Sequence, residues 1–135
     1  SHRERILGVQ MYKYNIVGFL HWGYNFYNAE HSIFPIDPYR CTDAAGAFPS
    51  GDPFLVYPGA DKEPEESLRI MLMDEAMSDL CAMNYLEELA GRDVVMKCIE
   101  PEGGEKVEFE SYPRSIAYLV EMRKKVNREI EKRVK

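Results

Sequence analysis

The sequence predicts an α+β protein in which helices predominate. Two short apolar runs, Ile16–Leu20 and Phe54–Tyr57, are typical of buried strands. The second half of the chain is rich in Met, Leu, Glu and Lys at helical spacing. A length of 135 residues allows one domain with one modest core. We therefore expect a single domain or fragment, with a helix, strand and aromatic loop region over 3–62 and a helical region over 63–135.

The first half predicts one helix, two strands and a long loop. Partial helical periodicity indicates a helix from Arg3 to about Tyr14, and the first apolar run extends into a strand over Ile16–Trp22. Residues 28–53 carry several turn signals, among them Phe34-Pro35-Ile36-Asp37-Pro38, Ala45-Gly46 and Pro49-Ser50-Gly51-Asp52-Pro53, which predict a long ordered loop, and loops of this length are usually functional. The second strand, Phe54–Tyr57, is ended by Pro58-Gly59.

The second half predicts three helices and a brief strand. A helix is expected from Pro64 to Ala90, because Pro favours the first helical turn and Gly91 favours an end. A shorter helix follows over Asp93–Ile99, then a brief strand at Val107–Phe109, then a last helix from near Pro113. The final third of that last helix carries seven Lys or Arg among thirteen residues. It is a basic binding face or an ordinary solvated surface, and neighbouring glutamates favour the second.

Aromatic side chains concentrate near the predicted first strand. Six of the ten residues from Gly18 to Tyr27 carry an aromatic or imidazole ring, and the chain's one Trp is among them. Rings mixed with phenols and an amide suit a sugar site, because a pyranose offers apolar faces to stack on and hydroxyls to hydrogen-bond. The same rings could instead form the core of a small domain, which is the commoner use of an aromatic cluster.

Charge and composition exclude several classes of function. The net charge is −6 and the first two-thirds hold no basic patch, which argues against nucleic acid. No apolar run approaches the roughly 20 residues of a transmembrane helix. The three Cys show no paired spacing and His2, His21 and His31 are scattered, so we expect no disulfide framework, metal site or cofactor. The chain opens Ser1-His2 without an initiator Met, as a cloning remnant does, so we expect it to be a piece of a larger polypeptide or an engineered chain.

Several segments together resemble one enzyme family. They are Arg5-Ile6-Leu7-Gly8, Tyr12-Lys13-Tyr14, the run Gly18 to Asn25, the run Gly51 to Gly59 and Ser67-Leu68-Arg69-Ile70. Over roughly residues 3–90 the chain resembles the C-terminal part of glycoside hydrolase family 123-like proteins, a group that includes the domain of unknown function 4091. The resemblance implies the last βα portion of a (β/α)₈ barrel, followed by C-terminal helices. A whole barrel needs about 200–250 residues, so this chain would hold only its last portion.

The resemblance also implies an activity of β-N-acetylhexosaminidase type. In that family an adjacent Asp-Glu pair on an earlier barrel strand works with the substrate's own N-acetyl group. Here Asp74-Glu75 falls within a predicted helix and Glu30 stands alone in a loop. We therefore expect no catalytic residue in this chain, an inactive isolated chain, and a contribution limited to the sugar-binding wall.

The expected binding residues are Trp22, Tyr24, Asn25, Tyr27 and Asp52. By the resemblance, Trp22 would stand at the C-terminal end of the eighth strand and stack on the sugar, the next three would rim it, and Asp52 would accept from sugar hydroxyls. His21 alternates to the opposite side of the strand, so we expect it to pack under the helices. Arg69 is expected to be a structural anchor to a carboxylate or a loop carbonyl.

Three functions remain open at this point. The chain is a hydrolase fragment that binds an N-acetyl-hexosamine carbohydrate, a non-catalytic carbohydrate-binding module, or a protein-interaction module. A lone barrel strand with two unpaired edges recruits another chain, so we also expect the fragment to form a homo-oligomer, through strand pairing at Ile16–Trp22 or through the apolar faces of Leu68–Leu86 and Ile116–Ile130. The alternative is that these two helices fold back and cover the strand within one chain.

Overall fold

The computed structural model describes residues 2–134, and within that range the protein is α+β and mostly helical. In chain order its elements are helix α1 (His2–Lys13), a 3₁₀ turn (Glu30–Ser32), strand β1 (Val56–Pro58), strand β2 (Pro64–Glu66), and helices α2 (Leu68–Ala90), α3 (Arg92–Ile99) and α4 (Ile116–Glu131). The two strands pair antiparallel, with Val56 opposite Glu66 and Pro58 opposite Pro64. The predicted fold class is confirmed at this level.

The chain divides into two compact units, each with its own packing. The first unit holds the residues up to Gly18 and those from Leu72 onward, and the second unit is Phe19–Met71. In the first unit, apolar side chains of α1, α2, α3 and α4 meet in one core, whose fully buried members include Ile6, Val9, Met83, Leu86, Val95, Ile99, Leu119, Met122 and Val126. In the second unit the buried apolar residues include Ala29, Ala44, Phe54, Leu55 and Val56.

Helices α1 and α2 approach closely where α1 carries a glycine. A Cβ atom added at Gly8 would overlap the backbone carbonyl oxygen of Ala76, which is itself fully buried. Only a residue without a side chain permits this crossing, which brings Arg5 of α1 beside Asp79 of α2.

A buried carboxylate joins three helices of the first unit. Asp79 is 0% exposed and accepts from the guanidinium of Arg5 at 2.8 and 3.1 Å, and from Arg123 of α4 at 2.9 Å. Burying a charge is costly unless it is paired and hydrogen-bonded, and here both carboxylate oxygens have partners. The hydrogen bond to Asp79 is also the main reason that the pKa of Arg5 is raised.

Two predicted strands are wrong. The segment Ile16–Trp22 is not a strand, because no segment within residues 2–134 forms a ladder with it. An apolar run becomes a strand only when a partner pairs with its backbone, and composition alone does not supply that partner. Val107 is buried against the first core, but Val107–Phe109 is likewise irregular and has no ladder.

The long helix begins later than predicted. Residues from Pro64 form β2, and α2 starts only at Leu68. The side-chain oxygen of Ser67 accepts from the backbone N–H of Arg69 at 3.2 Å, which is the bond of an N-cap residue. Helix α4 starts the same way, since Ser115 accepts from the N–H of Tyr118 at 3.1 Å. In both cases a serine cap, rather than the nearby proline, marks the helix start.

The remaining predicted elements agree more closely. Helix α1 and helix α3 match the predicted Arg3–Tyr14 and Asp93–Ile99 within one residue at each end. The second strand is shifted by two residues toward Pro58 at its start. None of the helices described in residues 2–134 is both long and apolar enough to cross a membrane.

Candidate functional site

The predicted aromatic run lies along the segment that precedes β1, in the second unit. The N–H of Phe26 donates to the carbonyl of Pro53 at 3.1 Å, and the N–H of Leu55 donates to the carbonyl of Tyr24 at 2.8 Å. Asn25 and Phe54 form an isolated antiparallel bridge. The backbone pairing therefore falls a few residues later than the strand that the sequence predicts.

A glycine permits this close approach. A Cβ atom at Gly23 would stand 2.6 Å from the carbonyl oxygens of both Asp52 and Pro53, closer than real Cβ atoms come. The absence of a side chain at Gly23 lets its two neighbours, Trp22 and Tyr24, be held beside the 52–55 segment.

Trp22 is held at its edge and open to solvent over about half of its surface. Its indole Nε1–H donates to the Asp52 carboxylate at 2.9 Å, and the residue is 48% exposed. Phe48 and Phe26 pack on it with tilted rings, at centroid distances of 4.7 and 5.6 Å. Hydrogen bond and ring contacts together fix the orientation of an indole that is still accessible to a ligand.

Asp52 forms hydrogen bonds with two residues of the aromatic run, His21 and Trp22. The Nε2 atom of His21 lies 3.0 Å from the Asp52 backbone carbonyl oxygen, and because a carbonyl only accepts, this nitrogen carries the proton. His21 and Trp22 both bond to Asp52, so the expectation that His21 alternates away from Trp22 is wrong, since an irregular backbone does not impose strand alternation. Within the described residues, the Asp52 side chain bonds only Trp22, which leaves carboxylate lone pairs open to hydroxyl donors.

Tyr24, Asn25 and Tyr27 line a separate cleft. Its volume is about 420 Å³, and β1, Lys62 and Glu63 form much of the remaining wall. The Tyr27 hydroxyl donates to the Val56 carbonyl at 2.7 Å, and burial, with the neighbouring Tyr24, raises the Tyr27 pKa. Trp22 and Asp52 do not line this cleft, so the five predicted site residues form two groups within the second unit.

Arg69 supports the segment that carries Asp52. Its Nη2 and Nε atoms donate to the Phe54 carbonyl at 2.8 and 3.2 Å, and its guanidinium lies 5.3 Å from the centre of the Phe54 ring. Gly51, with φ of 84°, packs where a Cβ would meet the guanidinium at 2.8 Å. The predicted role of Arg69 as an anchor to a loop carbonyl is confirmed.

A protein-family model matches the first part of the chain. The family model "Glycoside hydrolase 123, catalytic domain" matches residues 1–86, which is more than half of the chain. The chain belongs to this family. The match includes Trp22, Asp52 and the 420 Å³ cleft, whereas α3 and α4 lie beyond it. A search of curated proteins finds no match to the chain.

The structure adds contacts to this family 123 chain that the sequence analysis did not single out. Phe48 supports Trp22, and Tyr39 stacks on Tyr57 at 5.0 Å beside the cleft. The Tyr39 hydroxyl lies 2.8 Å from a Glu65 carboxylate oxygen, and that hydrogen bond raises the Tyr39 pKa to about 12. The sequence signal that could have indicated the contact of Phe48 with Trp22 is an aromatic residue directly before a turn, Phe48-Pro49-Ser50-Gly51.

The adjacent Asp-Glu pair of this family 123 chain lies on a helix. Asp74 and Glu75 are both exposed on α2. Among residues 2–134, no group of three or more His, Cys, Asp or Glu side chains is placed to hold a metal ion.

Proposed function

We propose that this chain supplies the sugar-binding wall of a glycoside hydrolase catalytic domain of β-N-acetylhexosaminidase type. The observation that carries the proposal is Trp22, an indole half open to solvent and held in orientation by Asp52. The apolar C–H face of a pyranose packs on an exposed indole, and the neighbouring carboxylate accepts from sugar hydroxyls. Membership of a glycoside hydrolase family supports a carbohydrate as the ligand.

The cleft lined by Tyr24, Asn25 and Tyr27 is the second part of the proposed wall. It presents an amide side chain and phenolic groups around an apolar lining, and its volume of about 420 Å³ is within the usual range for small-molecule sites. The amide of Asn25 is exposed, so it can both donate to and accept from a hydroxyl or an N-acetyl group.

In this proposal the catalytic acid and the assisting carboxylate come from another part of the domain. Asp74 and Glu75 are adjacent, but they lie on a helix of the first unit with both side chains exposed. General acid catalysis by a carboxyl group needs that group to be positioned beside the leaving-group oxygen in a site that excludes water, and two exposed side chains on a helix do not form such a site. The chain would then be the last βα portion of a (β/α)₈ barrel within a larger polypeptide.

Binding by single-residue variants tests the proposal. We expect Trp22→Ala to weaken binding of an N-acetylhexosamine oligosaccharide by about 1–3 kcal/mol, because stacking and burial are lost. Isothermal titration calorimetry measures the affinity. The matched control is Tyr85→Ala, which truncates an aromatic residue of similar exposure on α2, outside both proposed groups, and should leave affinity unchanged.

Asp52→Asn separates the carboxylate's role in binding from its role in holding Trp22. The amide oxygen can still accept from the indole, so we expect weaker binding with little change in the free energy of unfolding. If both site variants lower stability while the folded fraction binds as tightly as the parent chain, the aromatic cluster is a core and the proposal is wrong.

A second candidate, a protein-interaction module, is favoured by the segment Val17–Leu20. Val17 and Leu20 are 102% and 85% exposed, and the segment has no ladder partner among the described residues. Exposed apolar side chains on an unpaired backbone favour pairing with another chain.

A further inference from the structure

Helices α3 and α4 enclose a groove in the first unit that the sugar-binding proposal does not use. Its volume is about 520 Å³. Val94 and Cys98 contribute its apolar lining, and the rest is charged: Lys97, Lys125, Arg128, Lys132 and Glu129. Four cations and one carboxylate give this surface a positive excess on a chain whose net charge is −6.

Most of these cations have no carboxylate bound to them. Glu129 is bonded to Lys132 and Arg133, which together lower its pKa. Within residues 2–134, Lys97, Lys125 and Arg128 form no ion pair. An ordinary solvated helix surface pairs its cations with carboxylates at neighbouring turns, as Lys124 does with Glu121 at 2.8 Å. Besides Lys124, Lys125 and Arg128 help to lower the pKa of Glu121, but neither of these two forms a hydrogen-bonded pair with it, which differs from that pattern.

We propose that this groove binds a small multivalent oxyanion, carried by a phosphate or sulfate ester. Lys125 and Arg128 lie one turn apart on α4, and Lys132 is the C-cap residue four positions further on, so the three follow one side of the helix and its end over about 10 Å. Lys97 lines the groove from α3. This spacing fits an anion with two or more charged groups, because cations that line a groove over about 10 Å cannot all contact one oxyanion.

The apolar lining adds a second element of recognition. Cys98 is buried, and burial raises its thiol pKa, so at neutral pH it is an uncharged apolar surface and does not repel an anion. A phosphorylated or sulfated small molecule can place its carbon skeleton on Val94 and Cys98 and its charged groups on the cations.

Two adjacent lysines provide a matched test. Lys125 lines the groove, whereas Lys124 does not and is already paired with Glu121. The full chain is titrated with sodium tripolyphosphate and, separately, with sodium sulfate and a disulfated monosaccharide, by calorimetry at about 0.15 M ionic strength. We expect saturable binding that Lys125→Gln weakens by about fivefold and that Lys124→Gln changes by less than about twofold.

Amide NMR shifts locate the bound anion independently of its affinity. Changes centred on Val94, Cys98 and Lys125 support the proposal, and the tighter binder of tripolyphosphate and the disulfated monosaccharide identifies whether the groove prefers phosphate or sulfate groups. Equal losses in Lys124→Gln and Lys125→Gln mean non-specific attraction and overturn it, as does the absence of saturable binding. Tighter binding of a DNA oligonucleotide than of every small probe also overturns it, in favour of a macromolecular partner.

Discussion

Trp22 and Asp52 show how two residues thirty positions apart become one feature of the surface. The indole N–H donates to one oxygen of the carboxylate at 2.9 Å, so the N–H needs no water, while the other carboxylate oxygen stays available to a ligand. Phe26 and Phe48 fix the ring from its sides. Asp79 shows the opposite use of a carboxylate: it is fully buried and surrounded by guanidinium groups, and its role is structural.

Replacing Asp79 should be the most damaging single-atom change in the first unit. Asp79→Asn leaves Arg5 and Arg123 without their buried counter-charge, which we expect to lower the free energy of unfolding by about 3 kcal/mol. Urea denaturation followed by circular dichroism measures it. Asp74→Asn, at an exposed position of the same helix, is the control and should change stability by less than about 0.5 kcal/mol. Equal effects in the two variants would show that the Asp79 ion pairs do not stabilise the fold.

Among the secondary-structure elements, helical periodicity predicted the helices well, whereas apolar composition predicted the strands poorly. A helix satisfies its backbone within itself, so its pattern is visible in a local sequence, as for α1 and α3. A strand depends on a partner, and Ile16–Trp22 is as apolar as a buried strand but has none in the described residues. The proposed site residues share one unit because of turns and backbone pairing at Gly23 and Asn25, contacts between distant segments that no local pattern encodes.

The parts of the site that depend on residue type and position were predictable, and the parts that depend on contacts between distant segments were not. The aromatic run identified Trp22 as a candidate, and Arg69 was assigned its anchoring role, from residue type and position alone. The partner of the indole, Asp52, was named for sugar contacts, but its bonds to Trp22 and His21 required the fold. The separation of Trp22 from the cleft of Tyr24, Asn25 and Tyr27 also required the fold.

The crossing of α1 and α2 depends on Gly8. Alanine in place of glycine usually stabilises a helix by about 1 kcal/mol, but here the added methyl would overlap the Ala76 carbonyl. We expect Gly8→Ala to destabilise the protein by about 1–3 kcal/mol, measured as a lower urea midpoint. Gly18→Ala is the control, because nothing lies within 4 Å of its added Cβ and its stability should be nearly unchanged. A stabilised Gly8→Ala variant would mean that the helices do not cross this closely.

At the scale of the whole molecule, the chain combines family 123 membership with a set of exposed apolar side chains. The family match covers residues 1–86, and exposed Val17 and Leu20 lie inside it. A catalytic domain that pairs this segment with a neighbouring strand would cover them, and a chain tested alone leaves them open to another copy.

We predict that the isolated chain associates with further copies of itself. We expect sedimentation at micromolar concentration to show a mass above 15.7 kDa that falls on dilution. Leu20→Lys should shift the equilibrium to monomer, because a charge on an exposed edge opposes strand pairing, whereas Leu89→Lys on α2 should not. A single 15.7 kDa species that dilution leaves unchanged would reject the prediction.

Trp22 is the only tryptophan in the chain, so its fluorescence reports directly on the proposed sugar site. We predict that adding an N-acetylhexosamine oligosaccharide changes the emission intensity along a saturable curve, because a sugar stacked on the half-exposed indole displaces water from it. Mannitol at the same concentrations controls for bulk solvent effects and should give no saturation. An emission that the oligosaccharide leaves unchanged, or changes only as mannitol does, would contradict the assignment of this chain as a sugar-binding wall.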